Sequence, residues 1–288
     1  MSLASDWRGI WIKSSISPKN LESAQKNVQS KMLVMLYSGT LNELFIHCFR
    51  TARKYSPDSK IILFTDFTPE ERKKLQPFGV SFRNIRKIDY HKKQVSLKIE
   101  MLRFLDVKYN DLIIVSDLDV IFQADPFVVF ENEFDVFFTS RHYEYHYPIN
   151  AGIWGFRVNQ NSRRFLKFYI KQMYARSWRM MRDFGNKFGR YPLGPGWYLD
   201  QDFLCTVFEN LGDLPKEING VRFYDAGYKF NFCPSFDIFG EIAVQELKSK
   251  IGNPDYKILH LKAELKQLLD STELSVKDHV NWPPSESH

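Results

Sequence analysis

Two short apolar runs, 31–37 (KMLVMLY) and 60–65 (KIILFT), flank a stretch at 41–54 whose apolar residues recur at helical spacing. Runs with no polar alternation predict strands covered on both faces, and the helical stretch between them predicts a crossover, so the three form a βαβ unit with parallel strands. Thr68-Pro69-Glu70-Glu71 predicts the next helix start: a hydroxyl cap, a proline at the first helical position and acids facing the positive end of the helix dipole. A further helix is predicted over 95–105. Residues 111–122 (DLIIVSDLDVIF) then read as one buried strand, apolar except for its serine and acids. Strands are also predicted at 134–140, 149–158, 221–224 and 257–261. Phe165, Phe168, Tyr169 and Gln172/Met173 make a helical stripe with Arg163, Arg164, Lys167 and Lys171 off it, the pattern of a half-buried helix. A Gly/Pro/aromatic stretch at 185–197 predicts a loop, and a helix is predicted over 200–210, stopped near Gly212. With no repeat, low-complexity tract or linker in the sequence, the pattern predicts one α/β domain over residues 1–288.

Composition excludes some functions. A hydrophobic share of 44% and an aromatic share of 16% are incompatible with a disordered chain. The sequence has no apolar run long enough for a membrane span, and residues 1–15 lack the basic, apolar and small-residue order of a secretion signal. Cys48, Cys205 and Cys233 are too few and too widely spaced for a disulfide framework or zinc ribbon, and read as small buried residues. A cytoplasmic, reducing location is the expectation. Nine Lys and Arg face a single acid, Asp183, between Arg163 and Arg190, so a local charge of +8 sits in a chain whose net charge is +6. That balance argues for one basic surface and against a uniform nucleic-acid coat. Residues 163–173 read mainly as a half-buried helix with a solvated charged face, and 174–197 read as a lid or acceptor loop beside the aromatic run 141–147.

The sharpest chemical signal is Asp117-Leu118-Asp119. On a continuous strand the two acids project to one face and Leu118 to the other. Paired carboxylates at an apolar strand end repel unless a cation lies between them, and hard divalent ions bind through such carboxylates together with phosphate oxygens. A solvated acidic turn is the plainer alternative, weakened by the apolar residues on both sides.

Asp117-Leu118-Asp119, then Asn150-Ala151-Gly152, then Asp200-Gln201-Asp202 at a helix start, then His260 with Lys266 six residues on, together resemble retaining GT-A glycosyltransferases, above all those of family eight. Residues 116–127 (SDLDVIFQADPF) also resemble the nucleotide-diphospho-sugar transferases of family seventy-seven. The resemblance covers about residues 31–266. It implies a single GT-A (Rossmann-like) domain with a mixed central sheet flanked by helices. Residues 31–119 would form the nucleotide-sugar-binding half and 120–270 the acceptor-binding half.

The resemblance further implies that Asp117, Asp119 and His260 bind Mn²⁺, or Mg²⁺, which holds the diphosphate of a UDP-sugar. An imidazole in the set favours Mn²⁺. Lys266 would meet the diphosphate as a point charge, with Lys262 a second candidate, while Ala263 stands where the family has a glycine. Lys98 aligns with a basic residue that touches the donor, commonly Arg in family eight; a solvated helix lysine is the equal alternative. Tyr37, Ser38 and Gly39 occupy the usual uracil and ribose position, and Leu118 belongs to the donor-contacting set. Asn150, Ala151 and Gly152 would line the donor, Gly152 by leaving room for substrate and Asn150 by hydrogen bonding to sugar; a strand-start bulge is the alternative. Asp200 would contact donor hydroxyls, Gln201 the reactive face of the sugar, and Asp202 the donor; helix capping is the plainer reading of the two acids. Asp200 and Gln201 are the catalytic candidates. The implied acceptor is a carbohydrate, glycolipid or glycoprotein, with peripheral membrane contact through 163–190 and no nucleic acid. By the same resemblance, a trimmed catalytic domain of a Golgi-type enzyme is the alternative to a cytoplasmic protein.

Two other classes compete. A nucleotidyltransferase shares the α/β core and acidic site, yet usually carries a basic Gly-rich loop after the first strand, and 37–42 contains no Lys or Arg. A membrane- or nucleic-acid-binding module would account for the basic segment but not for a buried acidic pair.

Overall fold

The computed structural model describes residues 30–86, 98–141, 149–175, 216–234 and 240–261. The predicted loop at 185–197, the helix at 200–210, the run 142–147 and the candidates Asp200, Gln201, Asp202, Lys262 and Lys266 lie outside the described residues.

The first apolar runs become strands β1 (Lys31–Tyr37) and β2 (Lys60–Thr65), joined by helix α1 (Glu43–Tyr55). Asn42 caps α1, its side-chain oxygen accepting the Phe45 N–H at 3.0 Å. Helix α2 (Pro69–Leu75) starts at Thr68 through a capping box, with the Glu71 carboxylate accepting the Thr68 N–H at 2.9 Å. Strand β3 (Val80–Asn84) follows, parallel to β2, as β2 is to β1. The chain then crosses to the other side of β1, where β4 (Leu112–Ser116) pairs with it in parallel. Reversal of strand order between β1 and β4 opens a crevice at their carboxyl ends, where ligands of open α/β sheets bind.

Beyond β4 the sheet becomes mixed. β6 (Val136–Ser140) and β7 (Ile149–Arg157) are antiparallel, as are β7 and β4; β9 (Val221–Asp225) runs parallel to β6, and β8 (Lys216–Ile218) closes the edge. The order in this eight-stranded sheet is β3-β2-β1-β4-β7-β6-β9-β8. Alternate residues of β1 enter opposite layers: Leu33 and Met35 face a core with Phe49, Phe67 and Phe130, whereas Met32, Val34 and Leu36 face one built on Trp154, Phe156 and Tyr169. The sheet is therefore covered on both sides, as its continuous apolar runs require.

Four features depart from the sequence pattern. Residues 111–122 are not one strand: β4 ends at Ser116, and β5 (Val120–Phe122) leaves the large sheet to pair with β10 (Ile258–His260). Both pieces are fully buried, so apolar periodicity carries no mark of the kink between them. Of the predicted 95–105 helix residues 98–105 are described: 98–100 are helical, and Met101–Phe104 tightens into a short 3₁₀ turn. In helix α3 (Gln160–Ala175) the stripe is shifted: Phe165, Leu166, Tyr169 and Ile170 are buried, and Phe168 is exposed. The pattern also misses β3, β8 and helix α4 (Glu241–Lys250), which are short or carry few buried residues. Cys48 and Cys233 are buried and free, as expected.

At the sheet end remote from the crevice, Asp135 is almost wholly buried and ties three elements together. Its carboxylate accepts the Arg222 N–H at 2.8 Å from β9, and the Asn159 and Asn161 side-chain amides at 2.6 and 3.3 Å from the start of α3. Its own backbone pairs with Arg157 and Arg222. Replacing Asp135 with alanine strands several buried donors at once, so the expected loss is about 2–4 kcal/mol in urea denaturation, with cation binding at the opposite sheet end unchanged.

Candidate metal centre

The kink after β4 is what builds the site. The Asp117 N–H donates to the Gly152 carbonyl at 2.8 Å, mooring the turn to β7, and the Leu118 side chain drops into the core. β5 then pairs with β10, setting His260 opposite Val120; the Leu261 N–H donates to the Asp119 carbonyl at 2.7 Å, and the His260 N–H to the Phe232 carbonyl at 2.8 Å. By these backbone bonds His260, 141 positions away in sequence, comes to lie with Nε2 3.1 Å from Asp119 Oδ1. The same nitrogen is 3.6 Å from Asp117 Oδ2. Ligand atoms of Asp117, Asp119 and His260 all fall within 4.8 Å of one another, a spacing that suits a single divalent cation. The imidazole is fully buried and forms the floor, while the partly exposed carboxylates form the open side. Co-facing of the two acids thus comes from a turn and a second ladder, not from strand alternation.

Gly152 is the residue on which this floor rests. A Cβ there would lie 2.2 Å from His260 Cε1 and 2.9 Å from Asp117 Oδ2. The absence of a side chain at Gly152 is therefore what lets His260 and Asp117 approach it this closely. Asn150 is likewise turned inward: wholly buried, it accepts the Gly152 N–H at 2.9 Å, and its Nδ2 faces His260 Nδ1 at 3.4 Å. Thr139 Oγ1 lies 3.0 Å from the Asn150 carbonyl and 3.1 Å from that of Ile153, across the register shift between β6 and β7. Asn231 donates to the same hydroxyl at 3.1 Å. Thr139 and Asn231 carry no periodic or motif signal, and sequence reading did not find them.

Lys98 is not a solvated helix lysine. Its ammonium pairs with Asp117 Oδ1 and lies 3.4 Å from the Ala151 carbonyl, with only 14% of the side chain exposed.

The loop after β1 forms the neighbouring wall. Tyr37 packs edge-on against Phe45 at 4.5 Å and against Phe67 at 5.8 Å. Gly39 has φ +140°, and a Cβ would meet the Tyr37 hydroxyl at 2.8 Å, so glycine is required there. Ser38 Oγ and the Gly39 N–H donate to the two oxygens of Asp66 at 2.7 and 3.2 Å, and the Leu41 N–H donates to Glu71 at 2.8 Å. The Leu41 N–H, followed by Thr68, holds the Glu71 carboxyl below its ordinary value. Asp66 also escaped the sequence reading, although an acid just past a parallel strand that neighbours β1 was the available signal.

Cys48, on α1 behind the turn, is not a ligand. Burial, and then the nearby Asp119 carboxylate, push its thiol far up, so it stays protonated.

No family model and no curated protein matches the sequence. Among solved structures, the glycosyltransferase GlyE of Streptococcus pneumoniae TIGR4 superposes with a TM-score of 0.51 at 17% identity, over 82% of this chain and 55% of that one. The chain therefore spans about half the length of that protein. A galactosyltransferase, LgtC, in complex with donor and acceptor sugar analogs gives 0.43 at 14% identity over 80% and 86% of the two chains. Mouse xyloside xylosyltransferase 1 in its apo form gives 0.48 at 12% over 81% and 97%. The likeness is one of fold: an α/β domain whose mixed eight-stranded sheet is flanked by helices, similar to family-eight glycosyltransferases of the GT-A fold. Among the described residues, no helix is long and apolar enough to cross a membrane.

Because a methyl at Gly152 collides with two of the three ligands, Gly152→Ala should weaken Mn²⁺ binding by about 10- to 100-fold, the usual range for residues that position ligands. Mn²⁺ electron paramagnetic resonance titration measures this, with an unchanged circular dichroism spectrum confirming the fold.

Proposed function

We propose that the chain is a metal-dependent glycosyltransferase that moves a sugar from a UDP-sugar to an acceptor hydroxyl with retention of anomeric configuration. The observation that carries this reading is the convergence of Asp117, Asp119 and His260 at the crevice between β1 and β4. Two carboxylates and an imidazole fit Mn²⁺, which when bound neutralises charge on the departing diphosphate. The transition state of sugar transfer combines an oxocarbenium-like sugar with a leaving diphosphate, so the residues that matter most are those that place positive charge against the leaving group.

Here the chain's own residues divide the work. Asp117 and Asp119 hold the cation from the open side, and His260 fixes it from below. Asn150, Ala151 and Gly152 line the donor, and Asn150 and Gly152 also keep that floor in place. Tyr37, Ser38 and Gly39, braced by Asp66, present an aromatic edge and a rigid backbone turn for the uracil and ribose. The Leu118 side chain is committed to the core, which leaves its backbone to meet the donor. Asp200 and Gln201 at the sugar, Asp202 beside them and Lys266 at the diphosphate complete the proposal, on the order of motifs in the sequence. Residues 31–119 serve the nucleotide sugar and 120–270 a carbohydrate, glycolipid or glycoprotein acceptor. The basic segment 163–190 suits an anionic acceptor or membrane surface.

Calorimetry with UDP tests the donor site. Binding should require both Mn²⁺ and Asp119, with Asp119→Asn or a chelator each lowering affinity by at least about tenfold. UDP binding that ignores both would remove the metal from the mechanism, and absence of binding in every condition would discard UDP as the nucleotide.

A further inference from the structure

The acidic pair is already counterbalanced by groups of the chain itself. Asp119 lies against the His260 imidazole, and Asp117 has its other oxygen, Oδ1, on the Lys98 ammonium. Both side chains of the Lys98–Asp117 pair are largely withdrawn from water, so solvent and salt screen it weakly. A divalent cation seated between Asp117 and Asp119 must share Asp117 with that ammonium.

We propose that Lys98 is the internal counter-ion of the acidic pair, and that it couples cation binding to diphosphate binding. The proposal rests on the metal-centre reading above and assigns Lys98 a role in ordering the site, beyond touching the donor. Two carboxylates and one ammonium carry a net charge of −1; adding a divalent cation makes it +1. Like charges on one carboxylate oppose each other, so Lys98 keeps the affinity for the cation alone low. An anionic diphosphate beside the cation gives the ammonium a new partner and removes the penalty. Cation and nucleotide then strengthen each other, necessarily by the same factor. The Ala151 carbonyl, 3.4 Å from Nζ, holds the ammonium near the centre while it changes partners.

Lys98→Met keeps the side-chain length and deletes the charge; Lys98→Arg keeps the charge. Mn²⁺ is titrated by electron paramagnetic resonance with and without UDP. In the wild type, UDP should tighten Mn²⁺ binding by about tenfold, a usual size for coupling between sites. Lys98→Met should bind Mn²⁺ alone about tenfold more tightly and lose most of the gain from UDP, whereas Lys98→Arg should behave as the wild type. Metal-free Lys98→Met should also melt at a lower temperature, with Mn²⁺ restoring the midpoint, because Asp117 has lost its cationic partner. Unchanged or weaker Mn²⁺ affinity in Lys98→Met, with the UDP gain intact, overturns the proposal and leaves the metal centre standing. Absence of any UDP gain in the wild type overturns it without a variant. If folded wild type and both variants take up no Mn²⁺ at all, the metal-centre reading itself fails.

Discussion

Two carboxylates cannot be brought together at the edge of an apolar core without something to offset their repulsion. That constraint organises this molecule. The strand carrying the acids is broken so that both face one point, the intervening Leu118 is sunk into the core, and a distant strand delivers an imidazole between them. Gly152 gives up a side chain so that the imidazole and Asp117 can close over it, and Lys98 is drawn out of solvent to face Asp117. Each feature makes limited sense alone; together they are what it takes to hold the pair in one geometry.

The fold supplies the place for this arrangement. Parallel strands on one side of β1 and a mixed set beyond β4 leave a crevice at the strand carboxyl ends, where loops converge. One wall is the Tyr37–Leu41 loop, held by carboxylates from the next loop and from α2. The other wall is the acidic turn. Asp135 at the far end of the sheet is also a buried carboxylate but has a different fate: side-chain amides, a backbone N–H and the Arg222 guanidinium surround its oxygens, so its partners are structural ones.

Much of this was legible in the sequence, for identifiable reasons. β1 and β2 were readable because runs covered on both faces have a composition that loops do not share. The α2 cap was readable because Thr68 and Glu71 satisfy each other's backbone locally. Asp117 and Asp119 stood out as charges in an apolar run, and His260 entered through the order of motifs. What the sequence hid depends on partners far along the chain. The break at Ser116 arises from β10 competing for β5; the inward turn of Asn150 and the purpose of Gly152 arise from His260; the bracing role of Asp66 arises from the Ser38–Gly39 turn. Lys98 could not be assigned between solvent and site because a helical position does not say what its side chain meets.

The β5–β10 ladder also bears on how the molecule is assembled in time. β1 pairs with β2 across 28 positions and with β4 across 81, but His260 meets Asp119 only after a loop of 141 positions has closed. Contacts of such separation form late, since their closure entropy is met only when the surrounding structure is in place. A growing or partly folded chain can thus hold the whole parallel half of the sheet and still lack a competent cation site. The cluster thereby reports on completion of the fold: it exists only once the chain has returned across its own sheet and added β10.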